Sequence, residues 1–305
     1  MTQLEFDQYI SPDGVVYKLN DNVGKFIYGL EGQGMPPIKY QTQQGPLQHG
    51  ETPLDFRLGP RIISFVFTQN GGCRTEYWSL RSALIDAIRP NRKTATQFPG
   101  TLRKILPDGT IRDLYVLIES GPVFVGSKEG EWDEFSIKEA LRFIAHDPLF
   151  FNPVVKSYTF ILTINQSLVF PITFPIDFSS DSIDVTTNIT YSGTWETYPI
   201  ITVEGPLNGF IIENESTDER IFLNYNIPAG TTITIDLNYG VKTVVDNTGT
   251  NLIGSISSDS DLATFHIAPN PEVAGGINTL SIYGSNAALG VTDITVKWYD
   301  KYIGI

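Results

Sequence analysis

The sequence predicts a mainly β protein of two domains, all-β apart from one helix in its first half. Three observations carry this. The chain has 305 residues with 27 Gly and 19 Pro, so turns are frequent and long helices scarce. Its 18 Phe and 14 Tyr fall with β-branched residues in short alternating runs, the composition of strands. Charge then divides the chain: residues 1–155 hold 16 basic against 18 acidic side chains, whereas 156–305 hold 5 against 16. The switch falls at a proline-bounded segment, His146 to Pro153, and places a first domain at 1–153 and a second at 154–305.

In the first half, Arg61 to Phe67 (RIISFVF) reads as a strand, and Asn70-Gly71-Gly72 turns the chain. Thr75 can then cap a helix whose apolar stripe is Tyr77, Leu80, Leu84 and Ile88. Arg89 falls in its last turn, where a cation suits the dipole, and Pro90 stops it. Thr101 to Leu106 and Ile111 to Ile118 form a hairpin about Pro107-Asp108-Gly109. Phe135, Ile137, Leu141, Phe143 and Ala145 alternate with polar residues as a half-buried strand. Glu139 breaks its apolar face and is expected at a bulge or edge.

The second half is strand after strand. Ile221, Leu223, Tyr225 and Ile227 alternate up to Pro228-Ala229-Gly230. Ile233, Ile235, Leu237 and Tyr239 follow, and Ile294, Val296 and Trp298 repeat the pattern. Turn signals recur at the spacing of an antiparallel sandwich.

Composition also excludes. Net charge of −13 argues against nucleic acid or an anionic membrane as partner. The single cysteine, Cys73, rules out an intrachain disulfide. The N-terminus has acids where a signal peptide needs a basic region, so a soluble chain made in the cytoplasm is expected. The uncharged stretch Ser157 to Ile176 would suit a bilayer in length, but Asn165, Gln166, Pro171 and Pro175 interrupt it, so no membrane span is expected.

No catalytic, cofactor or metal residues are assigned. His49, His146 and His266 lack the spacing of paired metal ligands, and His146 is expected to bond backbone at the boundary. Cys73 precedes the helix with no partner base and reads as a small buried residue. Asp259 and Asp261 lack the further ligands of a calcium loop. Glu131, Asp133 and Glu134 around Trp132 read as a solvated loop rather than a glycosidase pair. Arg81, Arg89, Arg92, Lys93, Arg103 and Lys104 read as a solvated basic face, available to an acidic neighbour in an oligomer.

Several segments in order resemble one family. Arg61 to Pro90 with EYWSLRSALIDAIRP, the Pro-Asp-Gly hairpin, and FSIKEALRFIAHDPLFFNP resemble the N-terminal domain of distal tail proteins (baseplate hubs) of long-tailed bacteriophages. Tyr191 to Pro206 (YSGTWETYPIITVEGP), Gly230 to Asp236, TVVDNTGTNLIGSISSDSDLATFHIAPN, and Gly276 to Leu280 are similar to its C-terminal galectin-like sandwich. The resemblance implies a β-barrel-like N-terminal domain with one helix. It implies a structural virion protein at the tail tip, not an enzyme: a homo-hexameric ring joining the tail tube protein to tail-tip hub and adhesion proteins, assembled in the bacterial host cytoplasm. The competing reading is a carbohydrate-binding module for cell-surface adhesion, since fold does not fix function. There Trp195 would be the stacking residue, helped by Arg220 and His266. Its alternating apolar strand argues instead that Trp195 is core.

Overall fold

The computed structural model describes residues 8–20, 25–90, 99–124, 136–161 and 182–305. Arg92, Lys93, the Glu131–Glu134 acids, Phe135 and the uncharged stretch beyond Ile161 lie outside them. The chain forms two compact units, Met1–Pro153 with Tyr302–Ile305, and Val154–Lys301. The expected second domain of 154–305 thus loses its last four residues to the first. No helix among the described residues is long and apolar enough to cross a membrane.

Unit one contains β1 (Gln8–Ile10), β2 (Val16–Lys18), β3 (Lys25–Glu31), β4 (Ile38–Gln43), β5 (Thr52–Leu58) and β6 (Arg61–Asn70). After helix α1 (Arg74–Ile88) come β7 (Gly100–Ile105), β8 (Ile111–Phe124), β9 (Ser136–Ala145) and β10 (Phe150–Phe151). The main sheet runs β2-β1-β7-β8-β9-β6-β3 with antiparallel neighbours. Alternation on β6 buries Arg61, Ile63, Phe65, Phe67 and Gln69 on one face. The first half of β8 pairs with β7 and the second with β9, with register shifts around Ser120. Such irregularities bend a strand, and the sheet curls. The curl returns β2 towards β3 and β6: Tyr17 Oη donates to Gln69 Oε1 at 3.0 Å, and Lys25 Nζ stands 4.2 Å above the Tyr17 ring.

The helix buries Leu84, Ala87 and Ile88, with Tyr77 and Leu80 half-buried. Its N-cap is Cys73 rather than Thr75, which lies inside the first turn. Cys73 makes no side-chain cap bond, and the Glu76 carboxylate accepts from Gly72 N–H at 2.7 Å instead. Cys73 is exposed, not the small buried residue expected. Arg89 sits just past the helix and pairs with Asp86 at 3.2 Å. Glu139 is neither edge nor bulge: it is fully buried on β9, opposite Phe67 of β6 and Phe124 of β8.

Arg61 ties this unit together. Its buried guanidinium donates to the carbonyls of Pro148 at 2.7 Å, Gly32 and Ile303 each at 2.6 Å, and Gly34, and lies over the Phe150 ring. Gly32 has φ +94°, and a Cβ there would stand 2.0 Å from the Ile62 carbonyl, so only glycine lets this carbonyl reach the arginine. The returning tail is held further by Tyr302, whose ring lies 3.6 Å from the Arg112 guanidinium.

Unit two is a sandwich. Its strands are β11 (Lys156–Thr159), β12 (Ile183–Thr190), β13 (Ile200–Glu204), β14 (Leu207–Asn214) and β15 (Glu219–Ile227), then β16 (Thr232–Asp236), β17 (Thr243–Asp246), β18 (Ile277–Ser285) and β19 (Asp293–Trp298). One sheet runs β11-β19-β13-β16-β17 and the other β12-β18-β14-β15. Val203, Ile235 and Val296 from the first join Phe210, Leu223 and Ile282 from the second in one buried core. The mainly β expectation holds, with one α-helix and a second-half sandwich among the described residues. β16 stops at Asp236, whose carboxylate accepts from Asn238 N–H at 2.9 Å. Tyr239, expected to face inward, is therefore 73% exposed.

Candidate functional site

The hairpin β4–β5 stands apart from the main sheet as a two-stranded ribbon. Pairing sets Ile38 opposite Leu58 and Tyr40 opposite Phe56. These four share one face, and Leu54 is the extra, unpaired residue where the register shifts between the Gln41–Asp55 and Thr42–Pro53 pairs. Lys39, Gln41, Asp55 and Arg57 take the other face. The apolar face is open: Tyr40 is 64% exposed and Phe56 46%, and Leu54 at the bulge beside them is 63% exposed. A two-stranded ribbon has no core of its own, and an apolar patch left in water marks an interaction surface.

The outer face of α1 is a second such surface. Trp78 and Ile85 are exposed, and the Arg81 guanidinium lies 5.2 Å from the Trp78 ring. The basic face read from sequence is largely committed. Arg103 is held by both oxygens of Asp113 at 2.8 and 2.7 Å, Lys104 is buried, and Arg89 pairs with Asp86.

In unit two the polar side chains converge on His266. Nδ1 lies 2.9 Å from both Glu219 Oε2 and the Thr264 carbonyl, and Nε2 lies 3.0 Å from Glu272 Oε1. Glu196 completes a group of possible metal ligands with His266 and Glu272, and accepts a 3.0 Å hydrogen bond from Tyr198. Burial alone pulls the His266 pKa down. The Glu272 hydrogen bond, the Glu219 charge and the Thr264 carbonyl outweigh it and hold the ring above the ordinary histidine value.

The other residues singled out in the sequence do not meet here. His49 and His146 are exposed in unit one. Arg220 is taken by Asp259, while Asp261 accepts from Arg220 N–H at 2.9 Å, so both acids brace a loop. Trp195 is half-buried outside the core, where its main-chain N–H donates to the Lys301 carbonyl at 3.3 Å; among the described residues Trp298 is the buried tryptophan. The hairpin was missed in sequence because both its faces are wet, so no buried stripe shows. The usable signal was the Ile38/Tyr40 and Leu54/Phe56/Leu58 alternation between Pro36-Pro37 and Gly59-Pro60.

Residues 192–302 match the family model of the siphovirus-type tail component, C-terminal domain. The chain carries a siphovirus-type tail component domain. The resemblance to distal tail, baseplate-hub proteins is thereby borne out, and the protein is a structural tail component. Along its whole length the tail component has the fold of the Dit protein of phage SPP1. The two are 15% identical, with 96% of this chain and 98% of that one covered at a TM-score of 0.59. That protein is described as a hub adsorption apparatus of phages infecting Gram-positive bacteria. Two structures of the phage p2 baseplate in its activated conformation, with Ca and with Sr, align over 95% of this chain and 97% of theirs. Their identities are 13% and 12% and their TM-scores 0.45 and 0.46. No curated protein sequence matches.

Proposed function

We propose that this tail component forms a homo-hexameric ring at the distal end of a phage tail and joins the tail tube to tail-tip hub and adhesion proteins. The reading makes it a non-enzymatic virion protein, assembled in the host cytoplasm. The observation that carries it is the open apolar face of β4–β5. A closed ring needs two different surfaces on each copy, one to give and one to receive. Unit one has two, the hairpin face and the Trp78/Ile85 face of α1. Unit two, with its strong excess of acidic residues, suits the soluble outside of such a ring.

The test is the double variant Tyr40→Asp, Phe56→Asp. Both residues are already in water, so the thermal transition should stay within a few degrees of wild type. The ring seen by negative-stain electron microscopy should be lost. Intact rings from the folded variant would remove the hairpin from the interface.

A further inference from the structure

The buried His266 ring in unit two is held differently at its two nitrogens. Nδ1 lies 2.9 Å from both the Thr264 carbonyl and Glu219 Oε2. Glu219 is anchored in place, accepting from the His266 main-chain N–H and from Thr217 Oγ1, both at 3.2 Å. Two fixed acceptors on that side put the hydrogen of a neutral ring on Nδ1 and its lone pair on Nε2. Carboxylate or carbonyl support behind the far nitrogen is what metal-binding histidines use, because it fixes both ring orientation and tautomer.

The Nε2 lone pair meets carboxylates. Glu272 Oε1 stands 3.0 Å from Nε2. One oxygen each of Glu196 and Glu272 and a ring nitrogen of His266 all lie within 4.8 Å of one another. Main-chain bonds gather the three. Thr197 and Ile267 exchange hydrogen bonds at 3.2 and 2.9 Å, which brings Glu196 alongside His266. A turn closed from Val273 N–H to the Pro269 carbonyl at 3.0 Å carries Glu272 to the ring. Tyr198 Oη donates to Glu196 Oε1 at 3.0 Å and orients that carboxylate. Lys242 offsets part of the negative charge, but its ammonium is given to the Ala263 carbonyl at 3.1 Å. Acceptors crowded together repel, and a cation between them reverses the sign.

We propose that Glu196, Glu272 and His266 Nε2 bind one divalent transition cation of the zinc class, with water in the remaining positions. One imidazole with two carboxylates suits zinc, whereas calcium and magnesium favour oxygen alone. Metal–ligand bonds of about 2.0–2.2 Å set neighbouring donor atoms about 3.0–3.5 Å apart. The observed spacing reaches this by small rotations of Glu196 and Glu272, both partly exposed and with room to turn. The ion ties the segment before β13 to the 269–276 stretch through the buried ring. It lies in unit two and is independent of how unit one assembles.

The test is calorimetric titration of Zn²⁺ into the full chain, stripped by a chelator and carrying Cys73→Ser so that the exposed thiol takes no part. A proton on Nε2 competes with the metal, so the titration is run at about pH 8. One equivalent should bind with a dissociation constant on the order of a micromolar or below. Glu196→Gln and Glu272→Gln should each weaken it by at least about tenfold with the far-UV spectrum unchanged. Nitrogen-15 NMR of the Cys73→Ser chain needs no further variant: Zn²⁺ should shift Nε2 of His266 while Nδ1 keeps its hydrogen. Absence of uptake overturns the site. So does uptake that leaves the His266 resonances in place, or that both glutamine variants retain in full, because the ion then sits elsewhere.

Discussion

Arg61 and Ile303, 242 positions apart, are joined by a 2.6 Å hydrogen bond from the guanidinium to the main-chain carbonyl. The same side chain holds Pro148, where the chain is about to leave unit one, so departure and return are fixed by one cation. Burial lowers its pKa to about 10, which still leaves it charged at neutral pH. Arg61→Met keeps much of the volume and strands four carbonyls. It should destabilise unit one by about 3–5 kcal/mol, read by urea unfolding of the full chain. Deleting residues 302–305 should lower stability in the same transition, by less. An unchanged midpoint in both would show that the tail is an ornament.

Glu139 is a second buried ionisable group, and here neither carboxylate oxygen has a hydrogen-bond partner among the described residues. Burial raises its pKa to about 7 from an ordinary 4.5, with the Arg81 charge working the other way. A carboxyl whose folded pKa is raised binds its proton more tightly in the native state. Unit one should therefore lose stability as pH climbs from 4.5 to 7 and stay penalised above. Glu139→Gln should be the more stable protein at pH 8, by about 1–3 kcal/mol, with the difference fading towards pH 5. Denaturant curves of both proteins across that range decide it, and a gap that does not change with pH would refute the assignment.

Asn278 and Asn214 form the buried polar junction of unit two. Asn278 Nδ2 donates to Ala268 O at 2.9 Å and Gly276 O at 3.1 Å, while its Oδ1 accepts from Ala268 N–H at 2.9 Å and Asn214 Nδ2 at 3.1 Å. Asn278→Leu strands all of these groups and should cost about 2–4 kcal/mol in the unit-two transition. Calorimetry on the full chain should show that transition move while unit one's stays in place.

The sequence was most informative where a single face is buried. β6, α1, β9 and the alternating strands of unit two announce themselves because water and core impose opposite chemistry on neighbouring residues. The end of β16 was misread because a local bond from Asn238 to Asp236 overrides the alternation that Tyr239 continues. Arg61 begins an apolar strand and looks like a charged flank; its buried role comes from three backbone segments that topology alone assembles. The His266 cluster is similar. Glu196, Glu219 and Glu272 are scattered over the sandwich sequence, and no spacing rule links them. Trp195 went wrong for a different reason: its run of apolar neighbours is real, but the chain there makes only isolated bridges, so the core pattern does not extend to it.

The proposed ring is tested most directly by the mass of the full-length chain in solution, by light scattering coupled to size exclusion at several loading concentrations. One chain weighs 33.9 kDa. The account predicts a species six times heavier that persists on dilution, and that falls to a single chain in the Tyr40→Asp, Phe56→Asp variant. A wild-type protein that runs as a single 33.9 kDa chain even at the highest loading would contradict it.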